Sequence, residues 1–159
     1  MKKALVAYFS ASGVTKKLAE RFADAIGADQ FEIVPEQIYT DADLNWQDQD
    51  SRSSVEMKDR TCRPAIASKV DDMSQYDVIF IGFPIWWYRE PSIIDTFAEA
   101  YDFGGKTIVP FATSGSSGMG ESGMNIGGLA KDAHVFAGDR FAANASGDEL
   151  KAWAEEYLK

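Results

Sequence analysis

Hydrophobic and polar positions follow two different periods along this chain. Residues 4–9, in "KALVAYF", form an unbroken apolar run of strand formers. A strand covered on both faces reads this way. After a short polar stretch, Val14, Leu18, Phe22 and Ile26 recur every fourth residue, with Lys16, Lys17, Glu20 and Asp24 between them. That spacing predicts an amphipathic helix, and Gly27 suits its C-terminal stop. "QFEIV" follows as a second strand, ended by Pro35. The opening therefore reads as strand–helix–strand with short joints, right-handed by rule.

From Glu36 to about Arg63 the pattern breaks down, leaving Tyr39 and Trp46 isolated among polar residues. A structureless stretch this long is uncommon in a compact domain, so part of Asp43–Lys58 is expected to be helical. "YDVIFIGFP" restores the pattern as a third strand ended by Gly82 and Pro84. Pro91 suits a first helical turn, and Ile93, Ile94, Phe97, Ala98 and Tyr101 continue a helical stripe to Gly104-Gly105. "KTIVPFATS" reads as a fourth strand. Its Pro110 lacks an N–H, which predicts a bulge or a break in the ladder. A helix is expected within "SSGMGESGMNIGGLAKDA", then a fifth strand, "HVFAGDRFA". Ser146 and Glu149 have capping-box spacing, and Leu150, Trp153, Ala154, Tyr157 and Leu158 mark a docked terminal helix.

Alternating strands and helices predict a parallel sheet covered on both faces, an α/β protein. Five strands in 159 residues suit one domain over residues 1–159 with strand order 2-1-3-4-5. Ligands of such sheets bind beyond the carboxyl ends of the strands, where the order reverses. The ends of strands one, three and four are therefore the places to search.

Ser10-Ala11-Ser12-Gly13-Val14-Thr15 closes the first strand. The first amides of the following helix lack intrahelical partners and carry the positive end of its dipole. Ser10, Ser12 and Thr15 add hydroxyl donors, and Gly13 permits close backbone approach. Together they suit a phosphate, held without the lysine of a Walker loop. The plainer alternative is an N-cap by Ser12. The third strand ends in "GFPIWWYREP", where Pro84, Ile85, Trp86, Trp87 and Tyr88 can wall a flat ligand; one indole could instead seal the sheet edge. The fourth ends in "ATSGSSGMG", whose Thr113, Ser114, Gly115, Ser116 and Ser117 can bond a polar rim. A phosphate cradle, an aromatic wall and a polar rim together describe a mononucleotide with a flat ring.

These segments resemble the flavodoxins, especially the short-chain flavodoxin-like proteins of bacteria. "YFSASGVTKKLAERFADAIGA" is similar to their phosphate loop, and "YDVIFIGFPIWWYREPSIIDTF" and "GGKTIVPFATSGSSGMGES" to their other flavin-contacting segments. The resemblance implies a flavodoxin-like three-layer sandwich with a five-stranded parallel sheet. It implies non-covalent FMN as cofactor, with Ser10, Ser12, Gly13, Val14 and Thr15 on the phosphate. Pro84, Ile85, Trp86, Trp87 and Tyr88 would line the isoalloxazine, and residues 113–117 its polar edge. The implied role is electron transfer with a redox protein partner. The alternative is an FMN-dependent NAD(P)H:quinone oxidoreductase with two-electron chemistry, acting on a small quinone and NAD(P)H. A third reading is a non-redox module holding another phosphate. Carriers of this family often place a glycine beside the flavin N5, and Pro84–Arg89 contains none. A positive φ at Trp86 or Trp87 would be strained, so little of the one-electron-reduced form is expected. The acidic balance is expected to lower the potential of the second electron.

Composition narrows the field further. The net charge of −9 comes with no basic cluster, which argues against nucleic acid as partner. No apolar run approaches the roughly 18 residues of a membrane span. The single cysteine, Cys62, cannot form an intramolecular disulfide and suits a cytoplasmic location. It lacks the Cys-x5-Arg spacing of a small phosphatase and is expected to be inert. His134 is read as structural, and Asp71-Asp72 do not sit where a receiver domain keeps its acids. One histidine and one cysteine offer little to a metal.

Overall fold

The computed structural model describes residues 2–113 and 118–159. Its elements are β1 (Ala4–Tyr8), α1 (Val14–Ile26), β2 (Asp29–Glu32), α2 (Arg52–Lys58), β3 (Val78–Pro84) and α3 (Ser92–Ala100). They continue with β4 (Thr107–Thr113), α4 (Ser122–Leu129), β5 (His134–Val135), β6 (Asp139–Phe141) and α5 (Gly147–Ala154). The sheet runs β2-β1-β3-β4-β5, all parallel, as the alternation of elements predicts. Among the described residues no helix is long and apolar enough to cross a membrane.

Period-two alternation sorts the strand residues into two apolar layers. Val6, Tyr8, Val78, Phe80, Val109 and Phe111 pack against Leu18 and Phe22 of α1 and Leu150 of α5. Leu5, Ala7, Ile79, Ile81, Phe83 and Ile108 pack against Ile93, Ile94 and Phe97 of α3 and Ile126 of α4. Gly82 lies in register with Phe111, and a Cβ there would stand 2.3 Å from the Phe111 ring. Glycine makes the room that this ring fills.

The structure turns α1 away from the expected stripe. Thr15, Leu18, Ala19, Phe22 and Ala23 are buried, Val14 is exposed and Ile26 is only partly covered. Two alanines and a threonine allow the helix to lie close to the sheet, which the larger residues alone did not suggest. Gly27 ends α1 as expected, in the left-handed conformation. Pro91 stands at the N-cap position just outside α3, without a side-chain cap, and α3 ends at Ala100, before Gly104-Gly105. Ser146 caps α5 by accepting from the Glu149 N–H at 3.1 Å.

Pro110 does not bulge β4, whose register with β3 is continuous through Ile81↔Pro110. The break appears on the neighbouring strand. Lys106 and Ile108 accept from the N–H groups of His134 and Phe136, so even-numbered residues here face the fifth strand. Pro110 falls in that series and offers no donor. The expected fifth strand is accordingly split into β5 and β6, both paired with β4. Gly138 (φ +75) lies in the gap, where a Cβ would meet the Pro110 carbonyl oxygen at 1.9 Å.

The stretch from Glu36 to Arg63 is packed onto the fold. Only Arg52–Lys58 of the expected helical region is α-helix, capped by Ser51. Pro35 and Ile66 form an antiparallel bridge, and Tyr39 is buried in the α3–α4 layer.

Candidate functional site

The three predicted segments meet at the carboxyl edge of the sheet. Tyr8 is in register with Gly82, and Pro84 with Thr113. The Ile85 N–H donates to the Thr113 carbonyl at 3.0 Å, so the aromatic loop leaves β3 still tied to β4.

At the end of β1, the Ser10 hydroxyl accepts from the Gly13 N–H at 3.0 Å and folds the loop back on itself. Gly13 (φ +93) is the N-cap, and no side chain caps α1. Ser12 therefore does not cap the helix. The first amides of α1 keep no intrahelical acceptor. Ser12 and Val14 are exposed beside them. Thr15 is buried, and its hydroxyl lies 2.8 Å from that of Thr113. Space around Gly13 is open, since a Cβ there would meet nothing within 4 Å. The loop thus combines uncapped amides, neutral hydroxyls and an unobstructed approach, the donor set a phosphate needs.

At the end of β3, Pro84 and Ile85 are half-buried. Trp86 stands edge-on to Phe9 (5.6 Å between centroids) and Tyr39 (5.5 Å), sealing the α3–α4 layer. Trp87 and Tyr88 are 44% and 71% exposed, so the free aromatic surface is theirs. Trp86 and Arg89 exchange both backbone hydrogen bonds, at 3.0 and 3.2 Å. The two residues between them have φ of 48° and 64°. This is a two-residue hairpin with a type I′ turn, which ordinarily recruits Asn and Gly. A positive φ strains such side chains, yet Trp87 and Tyr88 both adopt it. The left-handed region costs roughly 1–2 kcal/mol per such residue, and Tyr88, 71% exposed, buries little to offset it.

At the end of β4, Thr113 is buried. The expected rim residues Ser114, Gly115, Ser116 and Ser117 lie outside the described residues. Just beyond them, the Glu121 N–H donates to the Tyr88 carbonyl at 3.3 Å. Gly120 (φ +56) packs so close to that carbonyl that a Cβ would fall 1.9 Å from its oxygen.

A buried charged cluster beneath the aromatic turn escaped sequence reasoning. Arg89, Glu90 and Asp95 are 3%, 0% and 4% exposed. The Arg89 guanidinium donates to the Met57 carbonyl (3.1 Å), the Glu90 carbonyl (3.2 Å) and, at 3.5 Å, Ser92 Oγ and Asp95 Oδ2. Asn125 of α4 donates to both Glu90 oxygens, at 2.9 and 3.2 Å. Burial, reinforced by Asp95, raises the Glu90 carboxyl far above the usual carboxylate range, and burial raises Asp95 likewise. Asp95 Oδ1 has no partner among the described residues. The available signal was the sequence "REPSIID", where three charges interrupt an apolar helical stripe.

A second cluster joins the Glu36–Arg63 stretch to the site. Tyr39 donates to Glu56, which Arg52 also binds at 2.9 Å. The Arg52 guanidinium lies 3.8 Å from the centre of the Tyr39 ring, a cation–π contact. Burial raises the Tyr39 hydroxyl's pKa further than its bond to Glu56 does.

The sequence profile of the flavodoxin family matches residues 3–157. The chain belongs to the flavodoxin family. Solved structures agree. A candidate flavoprotein of Bacteroides eggerthii is 44% identical, with 98% of each chain covered and a TM-score of 0.88. One from Bacteroides uniformis is 46% identical, covering 97% of this chain and 98% of its own, at a TM-score of 0.86. A flavoprotein of Lactobacillus acidophilus, solved in complex with FMN, shares the fold at 24% identity and a TM-score of 0.71, over 97% and 99% of the two chains. No curated protein matches the chain.

Proposed function

We propose that this chain binds FMN at the carboxyl edge of its sheet and transfers electrons to and from a redox partner. The observation that carries the reading is the convergence of three strand ends. An uncapped helix terminus with open space at Gly13 stands beside the buried Thr15–Thr113 pair, next to a turn presenting Trp87 and Tyr88. The donors are neutral and the wall is aromatic, which fits a phosphorylated flat ring better than a compact anion. That the Lactobacillus acidophilus flavoprotein of the same fold was solved with FMN supports the choice of cofactor. Ser10, Ser12, Gly13, Val14 and Thr15 would hold the phosphate. Trp87 and Tyr88, with Pro84, Ile85 and Trp86 behind them, would line the ring. When bound, FMN supplies one- and two-electron redox chemistry; the protein's part is to bind it, orient it and keep water from one face.

One observation favours the enzymatic alternative, a two-electron NAD(P)H:quinone oxidoreductase. The Trp86–Arg89 turn is tied at both ends and at the Tyr88 carbonyl, which leaves little room for a peptide to move between flavin oxidation states. The visible spectrum of freshly purified protein tests the cofactor, with mass identification of whatever heat releases. FMN with flavin absorption is the expected result; a colourless protein that gains no flavin absorption on added FMN would overturn it. Steady-state NAD(P)H oxidation with a quinone separates carrier from enzyme.

A further inference from the structure

The turn from Trp86 to Arg89 holds two large exposed residues in a conformation that suits glycine. The packing of Tyr88, 71% exposed, is too slight to hold it there. The Glu121 N–H restrains the Tyr88 carbonyl from one side, and the remaining restraint comes from the ends of the turn, one of which is Arg89. Its backbone closes the hairpin, accepting from and donating to Trp86. Its side chain turns away from the aromatic surface into the protein. There the guanidinium joins two parts of the chain, binding the Met57 carbonyl at the C-terminal turn of α2, Ser92 and Asp95 on α3, and the carbonyl and carboxylate of its neighbour Glu90. A planar fork of five donors can satisfy such a spread of acceptors, and a single ammonium cannot.

We infer that Arg89 is a positioning residue, whose guanidinium locks the left-handed Trp87–Tyr88 turn to α2 and α3 before any ligand arrives. Its guanidinium bonds none of the residues that would line the ring. The inference rests on the FMN reading for its consequence, that the flavin ring meets a wall already built. Preorganisation of this kind raises affinity by removing an ordering cost from the binding step. It also gives the Glu36–Arg63 stretch a role: α2 supplies the carbonyl on which the lock closes. Without the lock, only a fraction of molecules would present the competent turn, and affinity would fall by that fraction.

The opposing explanation is that Arg89 only neutralises the buried Glu90 and Asp95. Arg89→Lys separates the two, because it keeps the charge and loses the fork. The apo forms of wild type, Arg89→Lys and Arg89→Met are titrated with FMN by quenching of flavin fluorescence. Amide hydrogen exchange at Trp86 and Arg89 is followed in the same apo proteins. Both variants are expected to exchange faster at these amides and to bind FMN about ten- to a hundredfold more weakly. The loss should shrink when Tyr88→Gly is added, since glycine removes the strain the lock opposes. An Arg89→Lys protein with wild-type affinity and exchange would overturn the inference, as would a loss unchanged by Tyr88→Gly. If the Arg89 variants do not fold, Tyr88→Gly alone decides: it should melt above wild type, and melting at or below wild type refutes a strained turn. Failure of wild type to bind FMN would instead sink the functional reading, leaving the apo exchange data to judge the lock.

Discussion

The hydroxyls of Thr15 and Thr113 lie 2.8 Å apart although 98 residues separate them in the chain. One sits on the first turn of α1 and the other ends β4, so the bond ties the candidate phosphate loop to the candidate ring rim. Both residues are buried, which makes an unmatched hydroxyl costly. Thr15→Val keeps the shape and strands Thr113. It is expected to destabilise the protein by about 1–3 kcal/mol in denaturant unfolding. Thr15→Val with Thr113→Val should cost less than the sum of the two single changes, because residues in contact couple.

Gly82 makes a second, steric prediction. An added Cβ would overlap the Phe111 ring at 2.3–2.9 Å from three of its carbons. Phe111 is itself hemmed in by Phe22, 5.3 Å away between centroids, and cannot retreat. Gly82→Ala should therefore cost about 1–3 kcal/mol, the usual range for overpacking. Phe111→Leu in the same chain should recover part of the loss. Equal melting temperatures for wild type and Gly82→Ala would contradict this account of the glycine.

The two apolar layers and the strand order were legible because β1, β3 and β4 are continuous apolar runs, and the helices between them carry their own period. The position of the candidate phosphate loop could be read for a similar reason, since strand, small polar residues and helix follow one another directly. What escaped depended on distant partners. Thr15 turns inward because Thr113 waits for it, and nothing near Thr15 announces that. Arg89 is meaningful only beside Met57, 32 residues earlier. Pro110 was recognised as a defect, but its effect falls on the strand across the ladder. The type I′ turn was illegible because Trp-Tyr is the opposite of the Asn-Gly that such turns select.

The pair of buried carboxyls predicts how stability depends on pH. Burial raises Glu90 to about 7, and Asp95 beside it is raised for the same reason. In the unfolded chain both release their protons near pH 4. Between about pH 4 and 7 the unfolded state thus binds fewer protons than the native state, and stability falls as pH rises. Below that window both states are protonated and the contribution is fully present; above it the loss levels off. The groups facing the pair are Arg89, Arg63 (3.9 Å from Asp95), Arg60, Glu99 and Asn125. Glu90→Gln retains an acceptor for Asn125 and removes the charge. Urea unfolding at steps from pH 4 to 8 should show a shallower decline for this variant, and a higher stability than wild type at pH 8. A parallel decline in both proteins would assign the effect to other groups.

Rigidity of the aromatic turn predicts the course of reduction. The Tyr88 carbonyl accepts from Glu121, Trp86 is wedged against Phe9 and Tyr39, and Arg89 is buried. A peptide in this turn could reorient only by breaking these ties and by leaving φ values that are already paired with the flanking hydrogen bonds. Any stabilisation of the one-electron-reduced cofactor that depends on such a reorientation is therefore withheld. Stepwise photoreduction of the FMN-loaded protein should pass from oxidised to fully reduced with little of the intermediate absorption at long wavelength. Replacing Tyr88 by Gly relieves the strain of this φ and also opens other φ values at the position, so it should increase that absorption at half reduction. A wild-type protein that already accumulates the one-electron form in large yield would show that the turn moves, or that its motion is not what stabilises that form.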